Sequence, residues 1–464
     1  VTRPFLVVGG GITGLAAAFE LATTGHGVVL VETDRLGGRI RTERVDGFMV
    51  EHGPDSFVAY RPGAVRLAEA LGIGDEVVPV VPPRSVHLRV GGRMEPMPDG
   101  MGMVLPTRIG PFARTRILSW PQKLRAVADL VMPRVLGDQD MAIGALLRRR
   151  VGPGVVTRFA DPLVGGIYGA SVDDLSIDAV LPMLRDYERK HRSLVLASLA
   201  SGHAASRPGD SKGSPFRSMR GGMGQLIDAL VAELEARDVP LRVGVAAVSL
   251  SVGPDGTRVG LSDGTELDVA GVVLAGGAPS SADLLADVAP DAARTLRQVR
   301  YGSTRSIHLG YDGDAFDTPP TGHGYLEAGP DRAPVTGVTL ASRKWPGRAP
   351  EGTVLVRAFV PDRVGPAAQL DDDDLLDTVT AHVGGVLGAR REPRLRHLVR
   401  WNSAMPTYTV GHKARADAVA AALAGTPVRV AGSALNGVGV PDCIADGRRV
   451  AAELAAMSAS ALPA

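Results

Sequence analysis

Blocks of four or five apolar residues stand near both ends of the chain, and most are closed by glycine or an acid. Phe5-Leu6-Val7-Val8 is continuous rather than alternating, which predicts a strand buried on both faces. Residues 15–22 are good helix formers, and Val28-Val29-Leu30-Val31 is a second buried strand ending at Glu32. The alternation returns later. Gly221-Gly222-Met223 opens a helix over 226–236, residues 241–250 predict a strand, and Val272-Val273-Leu274-Ala275-Gly276 predicts another. Asp255-Gly256 and Asp263-Gly264 are hairpin signals between them. Further on, Val428-Arg429-Val430-Ala431-Gly432 leads into Asn436-Gly437-Val438-Gly439-Val440-Pro441-Asp442. Pro441 suits the first position of a helix over 442–454. Short continuous strands alternating with helices predict an α/β fold around a parallel sheet.

The middle of the chain differs. Residues 100–200 have helical character, including 124–131 and 142–149, and residues 280–395 mix strands with helices. Residues 200–214, rich in Ser, Gly and Ala with Pro, predict a loop. Asp371-Asp372-Asp373-Asp374 predicts the acidic first turn of a helix rather than a metal site. Arg148-Arg149-Arg150 predicts a solvated helix end. Met101, Met103, Val104, Leu105, Phe112, Ile117, Leu118 and Trp120 form an apolar stretch salted with Arg108, Arg114, Arg116 and Lys123. Packing between domains is the expectation for it, and contact with a membrane surface or an apolar pocket is the alternative.

Composition narrows the function. A length of 464 residues predicts two or three domains. The 51 basic and 50 acidic residues nearly cancel, so no global field recruits nucleic acid, and an anionic substrate needs a local basic cluster. One cysteine, Cys443, excludes an intramolecular disulfide and a Cys-rich metal site. The ten histidines form no HExxH pattern. No apolar run reaches the roughly 18 residues of a membrane span. No secretory pattern opens the sequence, and a cytoplasmic location is the expectation.

Chemistry concentrates in the glycines. Gly9, Gly11 and Gly14 stand in GxGxxG spacing between the first strand and the first helix. Gly9 permits the tight turn, Gly11 lets the backbone approach a pyrophosphate, and Gly14 lets helix and strand pack closely. The helix start aims free N–H groups at the phosphates. Glu32 follows Gly14 by 18 residues and suits a ribose diol. The three glycines alone are a weak signal. Strand, glycines, helix, strand and acid in that order are a strong one.

Arg35-Leu36-Gly37-Gly38-Arg39-Ile40-Arg41-Thr42 resembles the second dinucleotide signature of the glutathione-reductase-type flavoproteins. Glu51-His52-Gly53-Pro54-Asp55-Ser56-Phe57 extends that likeness. Over nearly its whole length the chain resembles the oxygen-dependent porphyrinogen oxidases of haem biosynthesis, above all the soluble Gram-positive type that acts on coproporphyrinogen III. The likeness also rests on Gly165-Gly166-Ile167-Tyr168 before Asp174-Leu175-Ser176, and on Phe216-Arg217-Ser218-Met219-Arg220-Gly221-Gly222-Met223. It continues in Trp401 with Ala404-Met405-Pro406-Thr407-Tyr408 and Val410-Gly411-His412, and in Gly437-Val438-Gly439-Val440-Pro441-Asp442-Cys443-Ile444. The Met-Pro-x-Tyr-x-Val-Gly-His stretch is the most particular of these. One departure is visible: Gly169-Ala170 stands where the family usually has Ala-Gly.

Pattern and resemblance together imply an α/β fold, α+β overall. Its parts are a discontinuous Rossmann-like FAD-binding domain of glutathione-reductase type (1–80, 215–278, 396–464), a mixed-sheet substrate domain (81–100, 279–395) and a helical domain (101–214). The resemblance implies non-covalent FAD held by Gly9, Gly10, Gly11, Ile12, Thr13, Gly14, Glu32, Arg39, Gly53, Pro54, Asp55, Ser56, Val248, Trp401, Gly432, Val438, Gly439 and Val440. Val248 would present its backbone to the adenine.

The reaction it implies takes six electrons from a tetrapyrrole, with the flavin as hydride acceptor and oxygen as final acceptor, giving hydrogen peroxide. No side chain is nominated as catalytic, and no metal is expected. Cys443 reads as a small buried residue and His412 as structural. Arg84 is the candidate for a propionate, Gly166 for a flat wall against the macrocycle, and Ile167 and Tyr168 for the same wall. The helix after the second glycine turn would aim its positive end at the ring. Protoporphyrinogen IX, with two propionates instead of four, is the alternative substrate. An amine oxidase or desaturase is a further alternative, and an aromatic content of 4% counts against the aromatic cage of the former. The expected partners are the tetrapyrrole and oxygen, with at most peripheral membrane contact and a transient contact with the next haem-pathway enzyme.

Overall fold

Phe5–Val8 (β1), Ile12–Thr23 (α1) and Val28–Glu32 (β2) form the opening β-α-β unit of a computed structural model that describes residues 3–204, 214–254, 256–329, 333–361 and 366–460. Their sheet has five parallel strands in the order Leu241–Val243, β2, β1, Gly271–Leu274, Val428–Val430. Phe5, Leu6, Val7, Leu30, Val272, Val273 and Leu274 are all buried, as strands covered on both faces require. On one face α1 packs against the C-terminal helix Val440–Ser460. A Cβ on Gly447 would collide with Thr13 O, so the two helices meet backbone to backbone there.

The strand expected over 241–250 is two strands. Gly244 takes φ +79° and turns the chain. Leu241–Val243 stays beside β2, while Ala247–Gly253 joins Gly256–Leu261 and Glu266–Val269 in an antiparallel sheet. Gly264 (φ +85°) closes the second hairpin, and Asp255 of the first lies outside the described residues.

Thr42–Val45 (β3) and Phe48–Glu51 (β4) form a hairpin. Its Phe48 and Val50 pack on Leu355, Leu395 and Val399 of a seven-stranded sheet. That sheet runs Leu395–Thr407, Arg300–Asp312, Thr353–Pro361, Gly337–Leu340, Gly324–Glu327, Val86–Val90, Arg93–Pro96. Its pairs are antiparallel except Gly324–Glu327 with Val86–Val90. Leu395–Thr407 therefore belongs to this sheet, and we place the unit boundary expected at 396 after Thr407. Helix Asp372–Leu387 packs Leu375, Val379 and Val383 on the same sheet. Asp371 caps it by accepting from Asp374 N at 2.9 Å, so the acidic run is a helix start.

Residues between 100 and 204 are mostly short helices. The expected helix over 124–131 is Trp120–Val127 followed by a 3₁₀ turn, and that over 142–149 is Ile143–Arg150. Residues 200–204 of the expected loop continue helix Leu194–Ala204, and 205–213 lie outside the described residues. Val104, Leu105, Phe112, Ile117 and Leu118 are buried in the core of this region with Phe159. Trp120, Leu124 and Val127 recur every three or four residues on the outer side of their helix and are exposed. The apolar stretch thus splits into core and an outward stripe. Among the described residues no helix is long and apolar enough to cross a membrane.

Arg150 corrects the solvated helix end. Arg148 and Arg149 are exposed, but Arg150 is wholly buried. Its Nε donates to Asp129 Oδ1 at 2.5 Å, and its Nη1 donates to Pro133 O and lies 3.5 Å from Glu188 Oε1. Three consecutive arginines gave no sign that the third, one helical step on, turns inward. Removing Asp129 would leave the buried Arg150 cation with Glu188 alone, at 3.5 Å. Asp129→Ala is expected to cost about 3–5 kcal/mol, read as a lower midpoint of chemical denaturation. An unchanged midpoint would contradict this account of the core.

Candidate flavin site

The first glycine turn is set by close approaches. Gly9 takes φ +108°, and a Cβ on Gly14 would collide with Gly9 O. Gly11, by contrast, faces open space, with nothing within 4 Å of where its Cβ would stand. Gly11 is also the N-cap of α1, and no side chain caps that helix. The first N–H groups of α1, at Ile12 and Thr13, therefore open onto a space that suits an anion. Glu32 lies at the end of β2. Its Oε2 accepts from Gly10 N at 2.6 Å and its Oε1 from Asp34 N at 3.0 Å, which fixes the carboxylate and leaves lone pairs for hydroxyls.

The second signature lies against the first turn. Gly37 N donates to Gly10 O at 2.8 Å, and Gly37 and Gly38 both have positive φ. Arg39 Nη1 donates to Ser433 Oγ at 3.1 Å, and among the described residues no carboxylate pairs with this guanidinium. Burial lowers its pKa. A half-buried cation that, among the described residues, has no carboxylate partner, beside an uncapped helix start, is what a pyrophosphate would satisfy.

Gly53 is obligatory for packing, since a Cβ there would collide with Arg39 O. Pro54 and Ser56 continue this turn. The Asp55 side chain is turned toward the neighbouring sheet. It accepts from Ser56 Oγ at 2.6 Å, Lys344 Nζ at 3.1 Å and Trp345 Nε1 at 3.2 Å. Burial alone would raise its pKa, but Lys344, the Ser56 hydroxyl and Arg357 outweigh it and hold the carboxyl well below its usual range. Trp401 Nε1 donates to His52 O at 2.8 Å, and Arg357 Nη1 to Gly53 O at 2.7 Å, so the large sheet also grips this turn. Val248 sits on a bulge between Ala247 and Ser249, outside the ladder and exposed. A bulge leaves its backbone groups unpaired.

At the second glycine turn, Gly432 (φ +104°) donates its N–H to Asp446 Oδ2 at 2.7 Å. Asn436 Nδ2 donates to the same carboxylate at 3.0 Å. Tyr408 bridges the turn: its hydroxyl donates to Ser433 O at 2.8 Å and accepts from Gly437 N at 2.7 Å. Among the described residues the N–H groups of Val438 and Gly439 make no hydrogen bond, and Val440 begins the last helix. The Tyr408 ring stacks on His412 at 3.9 Å, and His412 Nε2 donates to Leu435 O at 3.0 Å. Burial pushes the His412 pKa down to about 4 and the Cys443 thiol up to about 11.

The other predicted residues divide. Gly166 follows a π-helical segment, Val156–Gly165, and has open space where its Cβ would stand. Ile167 is exposed. The Tyr168 ring lies 6.1 Å from that of Tyr408, which brings this wall to the second glycine turn. Burial raises its phenol to about 12, with Arg61 and Asp442 among the nearby charges. Gly169 takes φ +60°, a conformation that favours glycine and accounts for the Gly169-Ala170 order. Arg84 is exposed on the segment before Val86–Val90, with its charge felt at His323. The sequence reading did not nominate Tyr408, Ser433, Asp446 or Arg61, which pairs with Asp442. Only Tyr408 carried a signal, through the stretch 405–412.

A parallel β-α-β sheet, an uncapped helix start and, among the described residues, an arginine without a carboxylate partner suit a dinucleotide. Residues 12–455 match the family described as flavin containing amine oxidoreductase. The chain is 51% identical to the coproporphyrinogen III oxidase of Propionibacterium freudenreichii subsp. freudenreichii, over 99% of this chain and 92% of that protein. It is 32% identical to the coproporphyrinogen III oxidase of Bacillus subtilis (strain 168), over 96% of each. A solved structure described as a putative protoporphyrinogen oxidase from Exiguobacterium sp. 255-15 is similar with a TM-score of 0.83, at 29% identity and 99% coverage of both chains. The chain belongs to the flavin-containing amine oxidoreductase family and is a flavin-dependent oxidoreductase.

Tyr408→Phe removes both hydrogen bonds across the second turn. It is expected to weaken flavin retention about tenfold, for about 1–2 kcal/mol. Flavin fluorescence titration of the stripped protein measures this, and unchanged affinity would show that the bridge does not shape the site.

Proposed function

We propose that the protein binds FAD non-covalently and oxidises coproporphyrinogen III to coproporphyrin III. Six hydrogens leave the substrate, and three molecules of oxygen become three of hydrogen peroxide. The observation that carries this reading is the 51% identity along 99% of the chain with a protein named for that reaction. The bound flavin would supply hydride acceptance and pass the electrons to oxygen.

The chain's own residues have distinct tasks. The start of α1 and Arg39 bind the pyrophosphate, Glu32 orients the ribose, and the backbone at Val248 meets the adenine. Gly53, Pro54 and Ser56 line the turn between them, with Asp55 holding that turn through Lys344 and Trp345. Asp446 and Tyr408 hold the second turn so that Val438, Gly439 and the helix start face the ring, where charge grows on reduction. Burial keeps His412 neutral and Cys443 protonated near pH 7, and both already contact backbone carbonyls. Neither supplies acid–base chemistry. Gly166, Ile167 and Tyr168 form a wall for the macrocycle, and Arg84 receives a propionate. We place the protein in the cytoplasm, with any membrane contact peripheral and through the Trp120 stripe.

Porphyrin fluorescence with coproporphyrinogen III and protoporphyrinogen IX side by side tests the reading. A faster rise with the former is expected. A faster rise with the latter would reverse the substrate assignment, and no rise with either would overturn the function. Arg84→Ala is expected to raise KM more than it lowers kcat. An unchanged KM would remove Arg84 from the site.

A further inference from the structure

Three imidazoles and a carboxylate meet where hairpin β3–β4 lies on the seven-stranded sheet. Glu43 comes from β3, His52 follows β4, and His397 comes from strand Leu395–Thr407. One ligand-capable atom from each of the three lies within 4.8 Å of the others. His52 Nε2 is 2.8 Å from Glu43 Oε2, and the His52 and His397 rings are 5.7 Å apart at 65°. Behind them His308 pairs across the strands with His397, and their rings are 6.4 Å apart.

Two features mark this cluster as more than a packing accident. Among the described residues the ring nitrogens of His397 make no hydrogen bond. Both ring nitrogens of His308, which is 1% exposed, are buried without a partner. Buried imidazoles normally have partners. The mechanism proposed above uses none of these side chains. The cluster holds lone pairs suited to a cation of borderline softness: two nitrogens and one carboxylate oxygen is a common ligand set for zinc. Tetrahedral ligation needs ligand atoms about 3.4 Å apart, so adjustments on the order of 1 Å at the side-chain tips complete it.

We propose that Glu43, His52 and His397 form a site for a divalent transition metal such as Zn²⁺, which ties the hairpin to the large sheet. The local charges are compatible with it. His52 Nε2 already lies 2.8 Å from Glu43 Oε2, so the two ligand groups face each other. Arg41 Nη2 holds Glu43 Oε2 at 2.9 Å, but its side chain is about half exposed and the carboxylate keeps a second oxygen. His308 lies behind the ligands, 1% exposed, against the ring of His397. The consequence reaches the cofactor turn. The His52 carbonyl accepts from Trp401 and Arg357, so a metal on its side chain would stiffen the backbone that leads into Gly53.

The test uses the flavin-loaded protein, dialysed against chelator and titrated calorimetrically with Zn²⁺. One ion per chain is expected, with affinity at least about tenfold weaker in His397→Ala and in Glu43→Gln. Added Zn²⁺ should also raise the melting temperature of the wild type and not of the variants. Flavin absorbance of each variant reports that it is folded. Co²⁺ in place of Zn²⁺ should give the visible absorption of a tetrahedral nitrogen–oxygen site in the wild type alone. No Zn²⁺ uptake by the wild type, or equal affinity in wild type and both variants, would overturn the proposal.

Discussion

One close approach of backbones lets residues from opposite ends of the chain share a site: Gly447 brings the last helix onto Thr13 without room for a Cβ. Gly432 repeats the constraint, since a Cβ there would stand 2.9 Å from Thr13 Oγ1. Gly14 repeats it a third time, against Gly9 O. Each contact trades side-chain burial for proximity, and each needs glycine for steric reasons. With these three in place, the first helix start, Arg39 and the second glycine turn lie beside one another.

Polar groups then hold what packing has brought together. Asp446 and Tyr408 each bind two points of the second turn, so its shape is fixed by hydrogen bonds as well as by glycine. Asp55, Arg357 and Trp401 do the same between the turn at Gly53 and the seven-stranded sheet. The groups left over are informative by contrast. Among the described residues Arg39 has no carboxylate, α1 has no side-chain cap, and the N–H groups of Val438 and Gly439 have no partner. These open groups lie together and are what an anionic, hydrogen-bonding ligand would satisfy.

How much of this was legible depended on the range of the interactions. The two strands of the opening β-α-β unit were read nearly to the residue and the helix between them was placed at 15–22 within its observed Ile12–Thr23, because continuous apolar runs and the glycine spacing are local signals. The acidic cap at Asp371 was local too. The split at Gly244 was missed because a lone glycine within an apolar stretch does not announce a change of sheet. Arg150 was misplaced because its partners Asp129 and Glu188 are distant in sequence and only tertiary packing joins them. Asp55 was assigned to the cofactor turn through the motif around it, but that its side chain is held by Lys344 and Trp345, nearly three hundred residues on, was not legible. Strand Leu395–Thr407 was grouped with the cofactor unit by sequence order, although its hydrogen bonds put it in the other sheet. The sequence pointed to the glycine turns, and the structure supplied what holds them.

The central claim is that residues from both ends of the chain hold one dinucleotide. A crystal structure of the flavin-loaded protein tests it most directly. The pyrophosphate is expected within hydrogen-bonding distance of both the α1 start at Gly11 and the Arg39 guanidinium, with the ring edge facing the Val438 and Gly439 N–H groups. A pyrophosphate bound away from Arg39, or a ring turned away from residues 437–440, would contradict it.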